Sequence, residues 1–308
     1  MENISVTDPI GLAMERVKQI LFRPFDLGKW FAIGFCAWLA GLGEPRFRGG
    51  NFNGGSNQHR GDVHEQFEHA HSYVVENLAW ILPLVIFLFV IAFAFGALLI
   101  WLNSRGKFML LNCVALNRSD VVEPWKRFAD LANSLFWFRL GLGVIGLLIT
   151  APLIVFGILV AIPMFRHDSW NAGGVMVLIG LGLGTGLISI CFALIRKLTM
   201  DFVVPIMYLR GSRCVAAWRE FRPLLSANIG GFVLYLLFQI VIEMVIGIMI
   251  LVIFLVTCCI ACCFMSIPYI GTVLLLPVII FRRAYSLHYL AQYGPSYNVY
   301  QPATVAPQ

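Results

Sequence analysis

Residues 80–102 read Trp80-Ile-Leu-Pro-Leu-Val-Ile-Phe-Leu-Phe-Val-Ile-Ala-Phe-Ala-Phe-Gly-Ala-Leu-Leu-Ile-Trp-Leu102, with no charged side chain anywhere in the run. About 20 consecutive apolar residues carry a helix across the hydrocarbon layer, so this stretch alone predicts a transmembrane helix. Five further runs resemble it, and together they predict spans at about 27–43, 80–102, 135–163, 175–195, 229–264 and 269–281. The whole chain agrees. Of its 308 residues 59% are hydrophobic and 12% are Asp, Glu, Lys or Arg, where a soluble domain needs about 25% charge to coat its surface. A mean hydropathy of +0.83 excludes a soluble enzyme and a disordered tail protein. The expected fold is an all-α integral membrane protein, a single polytopic domain over 1–295 with a flexible extracytoplasmic loop at 44–62. Residues 296–308 are expected to form a disordered tail.

The formal charge of +6 is set by distribution, not by a nucleic-acid surface. Arg16, Lys18, Arg23 and Lys29 precede the first span. Arg105, Lys107, Arg118, Lys126 and Arg127 follow the second, and Arg196, Lys197, Arg210, Arg213, Arg219 and Arg222 follow the fourth. With Arg282 and Arg283 this makes seventeen cations on one side, against Arg46, Arg48, Arg60 and Arg166 on the other. Cationic loops stay in the cytoplasm, so both termini are expected there. Arg139 lies just inside the third span, where it can snorkel. Trp80, Trp101 and Trp137 fall near span ends, where an interfacial belt places aromatic rings. The first span starts too late and carries too many tryptophans for a cleaved signal peptide.

A repeat underlies the order. Residues 116–128 (Leu-Asn-Arg-Ser-Asp-Val-Val-Glu-Pro-Trp-Lys-Arg-Phe) shifted by 93 positions meet Leu209-Arg-Gly-Ser-Arg-Cys-Val-Ala-Ala-Trp-Arg-Glu-Phe221, matching Leu116 to Leu209, Trp125 to Trp218, Lys126 to Arg219 and Phe128 to Phe221. Each unit reads as an amphipathic elbow followed by an outward span. A third elbow follows Thr7-Asp8-Pro9, with Ile10, Ala13, Met14, Val17 and Leu21 on its apolar face. The expectation is six transmembrane helices in three repeated units of cytoplasmic elbow plus helical hairpin. The elbows lie in the headgroups, with Arg210, Arg213, Arg219, Arg222, Lys126 and Arg127 facing anionic lipid at about 1 kcal/mol each. Docking of a partner helix competes for the same face.

The run Asp201-Phe-Val-Val-Pro-Ile-Met-Tyr-Leu-Arg-Gly211, then Ala217-Trp-Arg-Glu-Phe221, then Asn228-Ile-Gly-Gly-Phe232 resembles the elbow-plus-span unit of the membrane domain attached to some bacterial glycerophosphodiester phosphodiesterases and of its uncharacterised six-span relatives. The likeness covers roughly residues 100–250, with a fainter echo in 10–40. It implies a bacterial inner-membrane protein and no particular chemistry. The soluble catalytic barrel of those enzymes has no counterpart here, and its activity does not carry over.

Several motifs invite chemistry and are weighed against plainer uses. Gly141-Leu-Gly-Val-Ile-Gly146 has the letters of a dinucleotide fingerprint but sits inside an apolar span without the strand that fingerprint needs, so it reads as close helix packing. The glycines at 180, 182, 184 and 186 read the same way. His64, Glu68 and His71 recur along one helical face and make a weak metal site, with a solvated extracytoplasmic surface as the alternative. Cys258, Cys259, Cys262 and Cys263 share one arc of a helix and cannot enclose a tetrahedral zinc alone; they read as small packing residues, or else as a disulfide or as ligands shared with a partner. No G-x-S-x-G, no paired carboxylates at one depth and no phosphate-cradling loop occur, so the chain is expected not to be an enzyme and to need no cofactor.

Glu243 is the sharpest single feature. It lies 14 residues into the fifth span, about 21 Å at 1.5 Å per residue, where an acid costs about 2.5–3.5 kcal/mol. Either it is functional, or it is a structural acid bonded to a neighbour such as Thr150 or Gln239. The expected partners are the lipid bilayer and other membrane proteins, with no nucleic acid. A non-catalytic membrane module leads, and a secondary transporter or permease built on Glu243 is the alternative.

Overall fold

The computed structural model describes residues 4–44, 78–166, 171–257 and 267–300. Within them every regular element is helical: α1 (Asp8–Leu21), α2 (Leu27–Gly41), α3 (Leu78–Leu116), α4 (Val122–Arg127), α5 (Ala129–Arg166), α6 (Ala172–Leu198), a π-helical turn (Thr199–Val203), α7 (Val204–Arg210), α8 (Cys214–Ala227), α9 (Ile229–Val256), α10 (Pro268–Leu274), α11 (Leu276–Ala291) and a short 3-10 turn (Pro295–Tyr297). By length and composition four helical stretches can cross a membrane: Trp80–Leu116, Ala129–Met164, Ala172–Arg210 and Ile229–Val256.

The chain divides into two compact units, one of residues 50–99 and 140–194, the other of residues 1–49, 100–139 and 195–308. In the first, α5 and α6 form an antiparallel hairpin. Gly146 lies beside Phe192, Gly157 beside Leu181 and Gly174 beside Met164, a constant register. Large apolar side chains point outward along the whole pair, Leu148 at 68% exposure and Leu183 at 72%. Residues 81–95 of α3 present leucine, valine, isoleucine and phenylalanine in the same way. A helix that is apolar all round belongs in lipid or against another apolar surface.

The second unit holds the packed core. The stretch of α3 from Phe108 to Ala115 is buried although it lies beyond the apolar run. Helix α1 buries Ala13, Val17, Ile20 and Leu21, and its start is tied to α11 by Tyr285 Oη donating to Val6 O at 3.1 Å. Its apolar face is thus covered by protein, which corrects the expectation of an elbow seated in lipid; Met14, at 47% exposure, has rotated out. Phe128 stacks on Phe108 (6.1 Å, 19°), and Phe221 stacks on Phe202 (5.5 Å, 14°). The two phenylalanines matched by the 93-residue shift therefore make the same kind of contact.

Three expectations change here. The last apolar run is not one helix ending at Phe281. Pro277, without an amide hydrogen, breaks it at Leu275, and α11 then continues to Ala291 with Arg282 and Arg283 in its middle. Residues 296–300 do not begin a disordered tail, because Val299 is buried and Tyr300 packs on His288. Helix α2 has only 15 residues, about 22 Å, short for an unaided span.

Of the glycines expected to pack closely, Gly146 lies against Phe192 and the others do not. A Cβ on Gly141, Gly143, Gly180, Gly182, Gly184 or Gly186 would meet nothing within 4 Å among the described residues. The close approach occurs at Gly106, where a Cβ would lie 2.4 Å from Ala40 N, and at Gly34, 2.6 Å from a Val273 methyl.

Candidate functional site

A belt of polar side chains crosses the core around the π-helical turn. A π turn displaces backbone carbonyls from their usual donors and is frequent at functional sites. Here Arg283 Nη1 donates to Met200 O at 2.6 Å. Asp201, inside the turn, accepts from Lys197 Nζ at 2.9 Å, one helical turn earlier, and from Tyr235 Oη at 3.2 Å. Gln239 continues the chain, with Nε2 donating to Tyr235 Oη at 2.8 Å while Oε1, buried, finds no partner among the described residues. Tyr285 stacks on Tyr235 at 5.6 Å and 8°, and Tyr289 closes the other side at 4.6 Å. Aromatic rings thus shield the Tyr235 side of the phenol–carboxylate contact from water, which strengthens it.

Glu243, two turns beyond Tyr235, forms an ion pair with Arg282 of α11. The contacts of α9 with α11 run antiparallel: Tyr289 Oη donates to Gly231 O, Tyr285 lies on Tyr235, and Arg282 meets Glu243. Glu243 is therefore neither solitary nor bonded to Thr150, whose hydroxyl donates to Gly146 O. Depth counted from Ile229 overstates its isolation, because Lys197 and Asp201 lie level with Tyr235 and Gln239.

A second group of charges joins α2, α3 and α5. Asn103 Nδ2 donates to Ala40 O at 2.6 Å and Leu42 O at 2.8 Å, satisfying carbonyls at the end of α2. Arg139 Nη1 donates to Asn103 Oδ1 at 2.5 Å, so this arginine, expected to snorkel, is tied to α3. Lys107 pairs with Glu44 at 2.9 Å. Arg105 lies over both Trp101 and Trp125 and donates to Trp125 O. Arg105 and Lys107 were read as topology signals and Arg139 as a snorkelling residue; here Arg139 ties α5 to α3, Arg105 ties α3 to α4, and Lys107 ties α3 to the turn after α2.

The lipid-headgroup candidates separate into two sets. Arg213, Arg219, Arg222 and Lys126 are exposed with no ion-pair partner among the described residues. Arg210 is bound by Glu220 at 3.1 Å, and Arg127 lies 3.9 Å from Glu123 with both exposed. The elbow α8 buries Cys214, Ala217 and Phe221 in the protein, and burial pushes the Cys214 thiol up to about 12, leaving a neutral packing group. His64, Glu68 and His71, and the four cysteines from 258 to 263, lie outside the described residues. Among the described residues no group of three metal-ligating side chains converges.

Chemically, the belt neutralises two carboxylates with fixed cations and ties α6, α9 and α11 into one register. Tyr235 and Asp201 have no role in the sequence reading, Gln239 enters it only as a neighbour of Glu243 and Arg283 only as a charge, because the contacts that join α9 and α11 to the π turn are long-range. The available signal was Lys197 four residues before Asp201, the spacing of a helical ion pair at a span end.

No curated protein and no solved structure matches the chain. A family model does, over residues 4–276, and its description is a family of unknown function (DUF7544). That match takes in most of the 308 residues, including every element of both polar groups except most of α11, and the chain belongs to that family.

Proposed function

We propose a multi-pass bacterial inner-membrane protein that acts as a non-catalytic membrane module, on the bilayer itself or as an assembly partner of other membrane proteins. It has six spans in three units of elbow plus hairpin and both termini in the cytoplasm, akin to the membrane domain attached to some bacterial glycerophosphodiester phosphodiesterases and its six-span relatives. In this reading the sixth span is the broken helix 268–291, not 269–281.

One observation carries the choice of a module. Residues 80–99, 140–164 and 172–194 contain no charged side chain. Their hydroxyls are spent on their own helices: Thr150 on Gly146 O, Thr185 on Leu181 O and Ser189 on Thr185 O. A polar solute needs convergent polar groups along its path, and these segments supply none. Glu243, the residue a transporter would use, already has a guanidinium as its counter-ion. The Gln239 carbonyl, without a partner among the described residues, is the observation that favours transport.

The test is reconstitution of the whole chain into sealed liposomes carrying pH- and potential-sensitive dyes, beside identification of lipids and proteins that copurify in mild detergent. A module gives no protein-dependent flux and retains a defined lipid or partner. A flux abolished by Glu243→Gln would overturn it in favour of transport.

A further inference from the structure

The end of α3 and the start of α4 enclose a small cup of about 290 Å³, its open mouth included. That is close to the lower limit of small-molecule sites, about 300 Å³. The floor is built from buried side chains. Asn112 is 6% exposed, and Phe128 is held by stacking on Phe108 and by the Tyr208 ring at 5.1 Å. Between the two helices the chain turns sharply at Asn117, whose φ of 56° lies in the left-handed region that asparagine tolerates. Lys29 Nζ fixes that turn by donating to Asn117 Oδ1 at 2.8 Å. Four exposed charges line the rim: Arg118, Asp120, Glu123 and Arg127.

Two features set the cup apart from a merely solvated turn. The first is an unspent donor in the floor. Tyr208 Oη donates to Asn112 Oδ1 at 3.0 Å, and the Asn112 amide nitrogen has no partner among the described residues. A nearly buried N–H of this kind calls for an acceptor. The second is the state of the rim. Arg118 and Asp120 make no ion pair among the described residues. Arg127 meets Glu123 only at 3.9 Å, and its guanidinium lies over the Phe128 ring at 5.5 Å. The matched elbow lacks this set: the 93-residue shift puts Arg213 at Asp120, Ala216 at Glu123 and Glu220 at Arg127. The two carboxylates therefore belong to this elbow and not to the repeat. With two cations and two carboxylates the rim is neutral, so a lone anion or a lone cation meets repulsion as well as attraction.

We infer that this cup is a site for a small zwitterion of the phosphoethanolamine class, either free or as the headgroup of an aminophospholipid. Arg118, Arg127 and the Asn112 amide supply three separate donors for the phosphate oxygens. Asp120 and Glu123 accept the N–H bonds of a primary ammonium, which a quaternary ammonium cannot form. The site stands apart from the choice between module and transporter, because no residue of the polar belt lines it.

The experiment uses the full chain, exhaustively delipidated in detergent. Isothermal calorimetry with glycerophosphoethanolamine detects a free zwitterion, and native mass spectrometry with added phosphatidylethanolamine detects a retained lipid. Saturable binding of the soluble probe identifies the free source; retention of the lipid alone identifies the headgroup. In either case the choline counterpart of the same probe should bind roughly tenfold more weakly, since its ammonium has no N–H to offer. Asp120→Asn combined with Glu123→Gln changes only exposed side chains, so it should leave the fold intact and erase that discrimination. Arg118→Gln should weaken both forms alike, because both carry the phosphate. Neither probe bound, ethanolamine and choline forms bound alike, discrimination unchanged in the double variant, or binding unchanged by Arg118→Gln, overturns the site. A flux measurement that overturns the module leaves this result untouched.

Discussion

Gly106 of α3 lies so close to Ala40 of α2 that a methyl group on it would stand 2.4 Å from the Ala40 amide nitrogen and 2.5 Å from the Leu39 carbonyl carbon. Backbone cannot yield as a flexible side chain can, so Gly106→Ala should separate the two helices and strain the Asn103 bonds to Ala40 O and Leu42 O. The expected loss is about 2–3 kcal/mol. Gly182→Ala has open space around it and replaces a poor helix former with the best one, so it should raise stability by up to about 1 kcal/mol. Thermal unfolding of both variants in one detergent checks the pair; equal losses would mean that α2 and α3 do not pack as described.

The ion pair of Glu243 with Arg282 makes a second, separable prediction. Each side chain is about one-third exposed, at 28% and 31%, so the pair is partly screened. Glu243→Gln and Arg282→Gln should each cost about 1–3 kcal/mol, because each leaves an incompletely solvated partner. Glu243→Leu combined with Arg282→Met removes both charges and should recover most of that loss. A double-mutant cycle in thermal stability is the measurement. Additive losses would show that the two residues do not interact.

These two cases mark what sequence reading could reach. The membrane-crossing character was legible because it is a matter of local composition, and the apolar runs ending near 102 and 195 stop close to the unit boundaries at 99 and 194. Helix continuity was not, since α3 runs on to Leu116 by burying polar residues such as Asn103 and Asn112 against other elements. Periodicity marks the face of a helix that avoids water, but it cannot separate lipid from protein as the cover, which is why α1 was misread. The belt joins its helices through residues far apart in sequence, with Tyr235 reaching Asp201 and Glu243 reaching Arg282, and no local pattern encodes those. Glu243 stood out as a charge needing an explanation; its partner Arg282 was counted only among the cations after the last span.

The elbows allow a test of lipid recognition. Arg213, Arg219 and Arg222 are exposed and carry no ion-pair partner among the described residues, whereas Arg210 is held by Glu220. In vesicles of mixed zwitterionic and anionic lipid, enrichment of anionic lipid around the chain can be followed by energy transfer from tryptophan to a labelled lipid. Substituting those three arginines with Gln should reduce the enrichment strongly, at about 1 kcal/mol per charge, and Arg210→Gln should reduce it less. Raising salt should mimic the triple variant, since exposed charges are screened over about 10 Å at 0.1 M. If Arg210→Gln matches the triple variant, headgroup charge is not what those arginines read.

Topology follows from combining cation placement with helix direction. Arg118 precedes α4 and Arg213 precedes α8, each in the cationic turn of its 93-residue repeat unit, and between them lie α5 and α6, an antiparallel hairpin. A hairpin returns the chain to the face it left, so single cysteines at 118 and 213 should react with a membrane-impermeant reagent from the same side. Helix α11 runs antiparallel to α9, as the contacts of Tyr289 with Gly231 and Arg282 with Glu243 require. A cysteine at 296, just past α11, should therefore label with 213. A cysteine at 55, one apolar crossing away from 118, should label from the opposite face. The native cysteines are replaced first, because Cys191 is exposed. Opposite faces for 118 and 213 would break the α5–α6 hairpin and with it the six-span proposal. Opposite faces for 213 and 296 would leave the first four spans intact but would exclude 268–291 as a returning span.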